Sequence, residues 1–215
     1  MCEDEQKAVN PQVPVNFDGW GRIAQGENWA GRDRYLWMHR DIRIPAEWAG
    51  KRVVGVFDFG NTGAGNNSGF ESMCYLNEEP FQGVDVNHQE VFFPEACTGK
   101  ETSLTFRVWS GLEGGGAPAV QEHQIKRADL AWLDEEVDDF YYLGTMVLET
   151  IVNLNENDPV RYDLRNALDE ACHCIDWAYP GSDEFYESVH QADRVLNEKI
   201  DRMDKHSLVN VHCVG

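Results

Sequence analysis

Asp85, Asn87 and Trp109 are the positions whose types and surroundings best suit holding a sugar. A carboxylate accepts hydrogen bonds from hydroxyls, an amide both donates and accepts, and the face of an indole matches the C–H side of a pyranose ring. Asp85, Asn87 and Gln89 alternate with Val84, Val86 and His88. In an extended segment that alternation puts the three polar groups on one face and His88 on the other. The same polar groups could instead satisfy backbone amides of their own loop. Trp109 stands just before the glycine-rich stretch Gly111–Gly116. That makes it the best exposed candidate among seven tryptophans, whose commoner place is a core or an interface.

Other groups with chemical capability read as structural. Cys172-His173-Cys174 invites a metal, yet residues two apart on a helix point roughly 200° apart, so the two sulfurs cannot share one ion. His206, His212 and Cys213 lack the spacing of a metal site. The acids Asp134-Glu135-Glu136 and Asp138-Asp139 cluster where a helix begins, and the positive end of its dipole accounts for them. Gly60–Gly69 is rich in glycine and asparagine, but no Gly-Lys-Ser/Thr follows to make a phosphate loop. No catalytic residue, cofactor site or metal site is therefore assigned on this chain.

The charge balance narrows the partners. The 38 acidic side chains outnumber the 18 basic ones, for a net charge of −20. Nucleic acid and anionic membrane surfaces both need clustered cations, so neither is expected as a partner. Hydrophobic residues make up 42% of the 215, enough for a packed core. No apolar run approaches the roughly 20 residues that span a bilayer. The opening Met-Cys-Glu-Asp-Glu is acidic where a secretory signal is basic. The six cysteines are sparse and irregularly spaced, which points to free thiols and a cytoplasmic location.

These residues need elements to position them. Residues 1–17 read as a leader pinned by Phe17 and Trp20. From 18 to 128, glycines recur and apolar residues alternate, as strands require. About seven strands are expected: Tyr35–Ile44, Arg52–Phe59, Phe70–Leu76, Phe81–Val84, Glu90–Phe93, Ser103–Trp109 and Gln121–Ala128. That number fits an antiparallel β-sandwich of jelly-roll type. From 129 to 205 the apolar period becomes three to four, predicting three helices in an antiparallel bundle. The first spans Asp134–Asn155, the second starts at Asp158-Pro159 and the third at Ser182, each with a capping residue. Residues 206–215 read as one terminal strand. The fold class is thus α+β.

Three segments carry a family likeness. His39–Lys51, with the run His-Arg-Asp-Ile-Arg-Ile-Pro-Ala-Glu-Trp-Ala-Gly-Lys, resembles the first part of the amino-terminal domain of family-38 glycoside hydrolases. These are the zinc-dependent α-mannosidases, here of the vacuolar/cytosolic type. Tyr75–His88 resembles their hairpin, although that family has Asn-Gly where this chain has Asn77-Glu78. Val209–Gly215 looks like the first strand of their catalytic barrel. In the family the motif His-x-His-x-Asp follows and supplies zinc ligands, and this chain stops at Gly215, before it. The likeness covers residues 18–215 in the right order.

The resemblance implies the non-catalytic amino-terminal portion of a retaining α-mannosidase acting on mannosyl oligosaccharides. In such a parent enzyme zinc holds sugar hydroxyls, an aspartate attacks, and a second acid protonates the leaving group. Retaining enzymes hold those two carboxyls about 5 Å apart. None of these groups lies on this chain, so the chain alone is expected to be inactive, with no cofactor of its own. Its expected partner is the catalytic domain of the same chain. Two other readings stay open: a stand-alone carbohydrate-binding sandwich using Asp85, Asn87 and Trp109, and an assembly module whose helices make a homo-oligomer.

Overall fold

The computed structural model describes residues 1–4, 9, 11–60, 69–113 and 116–203. They form two compact units that divide between Leu133 and Asp134.

Among the described residues the first unit holds ten strands. In chain order they are β1 (Cys2–Glu3), β2 (Asn28–Gly31), β3 (Tyr35–Arg43), β4 (Arg52–Asp58), β5 (Glu71–Leu76), β6 (Glu79–Asp85), β7 (Glu90–Phe92), β8 (Glu101–Trp109), β9 (Gln121–Gln124) and β10 (Arg127–Leu133). Three sheets result, in the orders β1-β3-β8-β5-β6, β10-β4-β7 and β2-β9. Every strand pairing is antiparallel.

Side-chain alternation explains the layering. In β3, Leu36 and Met38 turn to one face while Tyr35, Trp37 and His39 turn to the other. In β8, Leu104, Phe106 and Val108 share the core face. They meet Val53, Phe57, Phe59, Val91 and Phe93 from the opposite sheet in one apolar cluster, closed by Trp29 and Ile125. Phe106 sits at its centre, with ring centroids 4.7 Å from Phe57 and 5.0 Å from Phe59. The unit is an antiparallel β-sandwich.

The β5–β6 hairpin turns on two residues only. Asn77 and Glu78 have φ of 50° and 69°, and Leu76 pairs directly with Glu79. Positive φ at both central positions is the geometry that usually selects Asn-Gly. Glu78 takes it without being glycine, so the turn carries strain of the order of 1–2 kcal/mol. Asn77 offsets part of this by accepting the Ser103 backbone N–H at 3.0 Å. β6 is an edge strand and holds Pro80, which has no N–H to leave unpaired.

Three expectations change. The strand count rises from seven to ten among the described residues, because β1 and β2 lack an apolar alternation long enough to read. The single strand expected over Gln121–Ala128 is two, β9 and β10, which lie in different sheets. β10 also runs through Leu133, past residue 128. Its partner β4 imposes this: the ladder runs seven rungs, from Arg127–Asp58 to Leu133–Arg52.

Described residues at both ends of the expected leader meet the larger sheet. Phe17 stacks on His39 with centroids 3.5 Å apart and meets Trp20 edge-on at 5.1 Å. Asp4 accepts a 2.8 Å hydrogen bond from Arg107 Nε, in a pair largely shielded from water. The same guanidinium lies over the Tyr35 ring at 4.4 Å.

The second unit is a bundle of α1 (Glu135–Asn153), α2 (Pro159–His173) and α3 (Asp183–Arg202), each packing on the other two. Their starts are chemically capped. Asp134 accepts from Val137 N, Asp158 from Val160 N, and Ser182 from Phe185 N. Ala167, Ala171, Ile175, Val189, Ala192 and Leu196 form the core between the helices. α1 keeps Tyr141, Tyr142, Met146, Leu148 and Val152 exposed. The expected terminal strand, 206–215, falls outside the described residues. No helix among the described residues is long and apolar enough to cross a membrane.

Candidate functional site

Strand register builds the site. Tyr35, Trp109, Glu71 and Asp85 stand directly opposite one another across β3, β8, β5 and β6. Residues paired this way point to one face of a sheet. The row therefore carries an aromatic pair and two carboxylates onto the outer face at one end of the sandwich. Around it lies an open cleft of about 300 Å³, lined by Trp109, Glu71, Asp85, Asn87, Leu112 and Glu113, with Gly69 and Gly111 at its walls. The structure thus brings Asp85, Asn87 and Trp109 together in one cleft.

Their roles differ from the sequence expectation in detail. Residues 84–89 are not one extended segment. β6 ends at Asp85, whose Oδ1 accepts the backbone N–H groups of Asn87 (2.7 Å) and His88 (2.9 Å). This is the side-chain-to-backbone alternative to a continued strand. It swings His88 onto the same side, with Nδ1 3.1 Å from both Asp85 oxygens. Gln89 turns away and donates to Val86 O at 3.3 Å. Asp85 is thus mainly a turn anchor, and it leaves the Asn87 side chain exposed at the cleft.

Trp109 is half-buried. Its indole N–H donates to Asp33 Oδ1 at 3.0 Å, and its ring lies 6.4 Å from Tyr35. The hydrogen bond fixes the ring so that part of its surface lines the cleft.

Sequence reasoning missed Glu71, Glu113 and Arg32. Arg32 grips Glu113 with two hydrogen bonds, Nε to Oε2 at 2.8 Å and Nη2 to Oε1 at 2.6 Å. This fork geometry is the strongest form of an ion pair. The position of Glu113 inside the Gly111–Gly116 stretch, close to Trp109, was a usable signal. Glu71 had none, because only the register places it beside Trp109.

The roots of the two glycine-rich stretches share a buried histidine. His123 is 3% exposed and stacks on Trp29 at 4.2 Å. Its Nε2 lies 2.9 Å from Ser110 O and its Nδ1 3.2 Å from Gly60 O. The ring therefore ties the residue before Gly111 to the residue that opens the stretch from 60.

Two of the cleft's acids, Glu113 and Asp85, are held below their ordinary values. The Arg32 hydrogen bonds hold the Glu113 carboxyl down at about 2, against an ordinary value of 4.5. Burial alone would raise the Asp85 carboxyl, but the hydrogen bonds from Asn87 and His88 outweigh it and hold it below its ordinary value. For a depressed carboxyl the stabilisation is complete above the unfolded value and is lost as pH falls through the folded one. The Arg32–Glu113 pair should therefore be intact at pH 4 and open only toward pH 2. Carboxyl carbon shifts of Glu113 followed by NMR should show this midpoint. Arg32→Ala should raise it back toward its ordinary range, since the Arg32 hydrogen bond is the largest cause of the depression. A wild-type midpoint already in that range would contradict the pair.

No group of three or more His, Cys, Asp or Glu side chains among the described residues could hold a metal ion. Cys172 sits within α2, its thiol pushed up by burial, and the Cys174 thiol donates to Glu170 O at 3.4 Å. His206, His212 and Cys213 lie outside the described residues.

No protein-family model matches the chain, and no curated protein matches it. Among solved structures, the CBM51-2 and INT domains of Clostridium perfringens ZmpB in complex with GlcNAc are 10% identical, with a TM-score of 0.25. That match covers 88% of this chain and 45% of the other. A second structure, of the CBM51-2 and INT domains of the same protein, is 11% identical with a TM-score of 0.22, covering 84% of this chain and 38% of that one. The chain thus spans less than half the length of either, and neither likeness is close enough to carry an argument.

Proposed function

We propose that this chain is a non-catalytic glycan-recognition unit, the amino-terminal portion of an α-mannosidase, whose β-sandwich engages sugar in the cleft beside Trp109. The observation that carries the reading is the meeting of Trp109, Asp85 and Asn87 in one cleft of about 300 Å³, close to the volume of a one- or two-ring ligand site. An indole face and hydrogen-bonding groups set around it are what a pyranose requires, since the sugar has one apolar C–H side and a rim of hydroxyls. The family resemblance supplies the parent enzyme. Its second segment, Tyr75–His88, covers the β5–β6 hairpin and the Asp85 turn, which make one wall of the cleft. Hydrolysis and zinc belong, on this reading, to the catalytic domain that would follow.

Titration with methyl α-mannoside or an α-mannobiose, followed by indole fluorescence and calorimetry, tests it. Binding in the millimolar to micromolar range is expected, with an emission change from Trp109. Trp109→Ala should weaken binding about fivefold or more, because one stacked indole contributes on the order of 1–3 kcal/mol. Binding of no mannoside, or binding indifferent to Trp109, would reject the site. Mannosidase activity from this chain alone would reject the non-catalytic assignment.

A further inference from the structure

We infer that the cleft selects by charge, admitting uncharged glycans and turning away those that carry carboxylate, sulfate or phosphate, and that Glu71 is the residue that decides this. The inference rests on the glycan reading above and names the ligand class of that site.

Among the described residues, every charged side chain that lines the cleft is acidic: Glu71, Asp85 and Glu113. Two of them already have partners. Glu113 is held by both forks of Arg32, at 2.8 and 2.6 Å, which leaves that guanidinium committed to its own partner. Asp85 spends its lone pairs on two backbone N–H groups and on His88. Glu71 is different. It is exposed on the central strand of the row, between Trp109 and Asp85, and no cation or hydrogen-bond donor among the described residues answers it.

The consequence depends on what the ligand offers. A hydroxyl offers a donor, and a carboxylate is the strongest neutral-ligand acceptor a protein has. An anionic substituent offers only further lone pairs. It would lose hydration on entering the cleft and meet Glu71 with no positive charge to compensate. At a few ångströms, like charges in partly hydrated surroundings repel strongly enough to weaken binding about tenfold or more. The whole chain's charge of −20 repels anions as well. That field is largely screened beyond about 8 Å at physiological salt, so the local carboxylate should dominate.

Calorimetry on the full chain at 0.15 M salt would compare methyl α-mannoside with mannose 6-phosphate and methyl α-glucuronide. The neutral sugar should bind about tenfold or more tightly than either anion. Glu71→Gln keeps the shape, removes the charge and changes the total by one unit in twenty, so distant repulsion persists. In that variant the gap between neutral and anionic sugars should close to about threefold or less. Equal affinity for neutral and anionic sugars, or a gap unmoved by Glu71→Gln, would overturn the inference while leaving the glycan site standing. Anions bound where mannoside is not would overturn it too. Binding of none of the three would overturn both the inference and the glycan reading.

Discussion

Phe106→Ala should remove about 3–5 kcal/mol of stability from the sandwich unit, the usual cost of deleting a phenyl ring from a closed core. Phe106 is 4% exposed and belongs to the core-facing row Met38–Phe106–Cys74 of the larger sheet. Its ring is the bridge to the opposite sheet, tilted on Phe57 and edge-on to Phe59. Strands on both sides fix those neighbours, so the cavity cannot collapse easily. Single domains have only about 5–15 kcal/mol in hand, so this change leaves the unit near its threshold. Urea unfolding read by tryptophan emission suits the measurement, because six of the seven tryptophans lie in residues 1–133. Phe81→Ala, at a ring 40% exposed on the edge strand, is the control and should cost well under half as much. A Phe106→Ala loss below about 1.5 kcal/mol would mean that the two sheets do not meet at this ring.

Gly60→Ala is the second large effect, and it joins stability to the site. Gly60 has φ of +98°, and a Cβ there would stand 2.5 Å from Gln124 O and 2.6 Å from Gln124 N. Both obstacles are backbone atoms of β9, so no side-chain rotation relieves them. The expected loss combines about 1–2 kcal/mol for an L-residue at positive φ with about 1–3 kcal/mol for overpacking. The backbone must shift, and it is tethered on both sides. Gly60 N donates to Asp58 Oδ1 at 2.8 Å, and Gly60 O faces His123, whose other nitrogen faces Ser110 O. Displacing Gly60 should therefore disturb the root of the Gly111 wall of the cleft. On the proposed glycan reading, mannoside affinity should fall several-fold along with stability. Gly116→Ala, where the new methyl meets open space, should change stability by less than about 0.5 kcal/mol. If Gly60→Ala were equally silent, the close approach of β9 to Gly60 would be wrong.

Much of the second unit was legible in the residue order. Asp158-Pro159 and Ser182 begin α2 and α3 as expected, because a cap is decided within one helical turn by the side chain and the amides two or three residues on. The apolar stripes of those helices read true for the same local reason. In the sandwich, β3, β4 and β8 were visible to within a residue or two as alternating or apolar runs. The split of residues 121–128 into β9 and β10 was not, since it is set by pairing with β2 and β4, almost a hundred and some seventy positions away.

The cleft divides along the same line. Asp85, Asn87 and Trp109 were recognisable as sugar-compatible groups from their types and neighbours alone. Residue order also determined the acidic balance, the helix starts and the strand-rich first half, because these depend on composition and on contacts a few positions apart. Only the tertiary structure decided that Trp109, Glu71 and Asp85 stand in one row, that Arg32 reaches Glu113 across 81 positions, and that Asp85 bends its strand into a turn. Those outcomes rest on strand register. Register is chosen by the summed burial of the whole core face, a quantity that no local stretch of sequence contains.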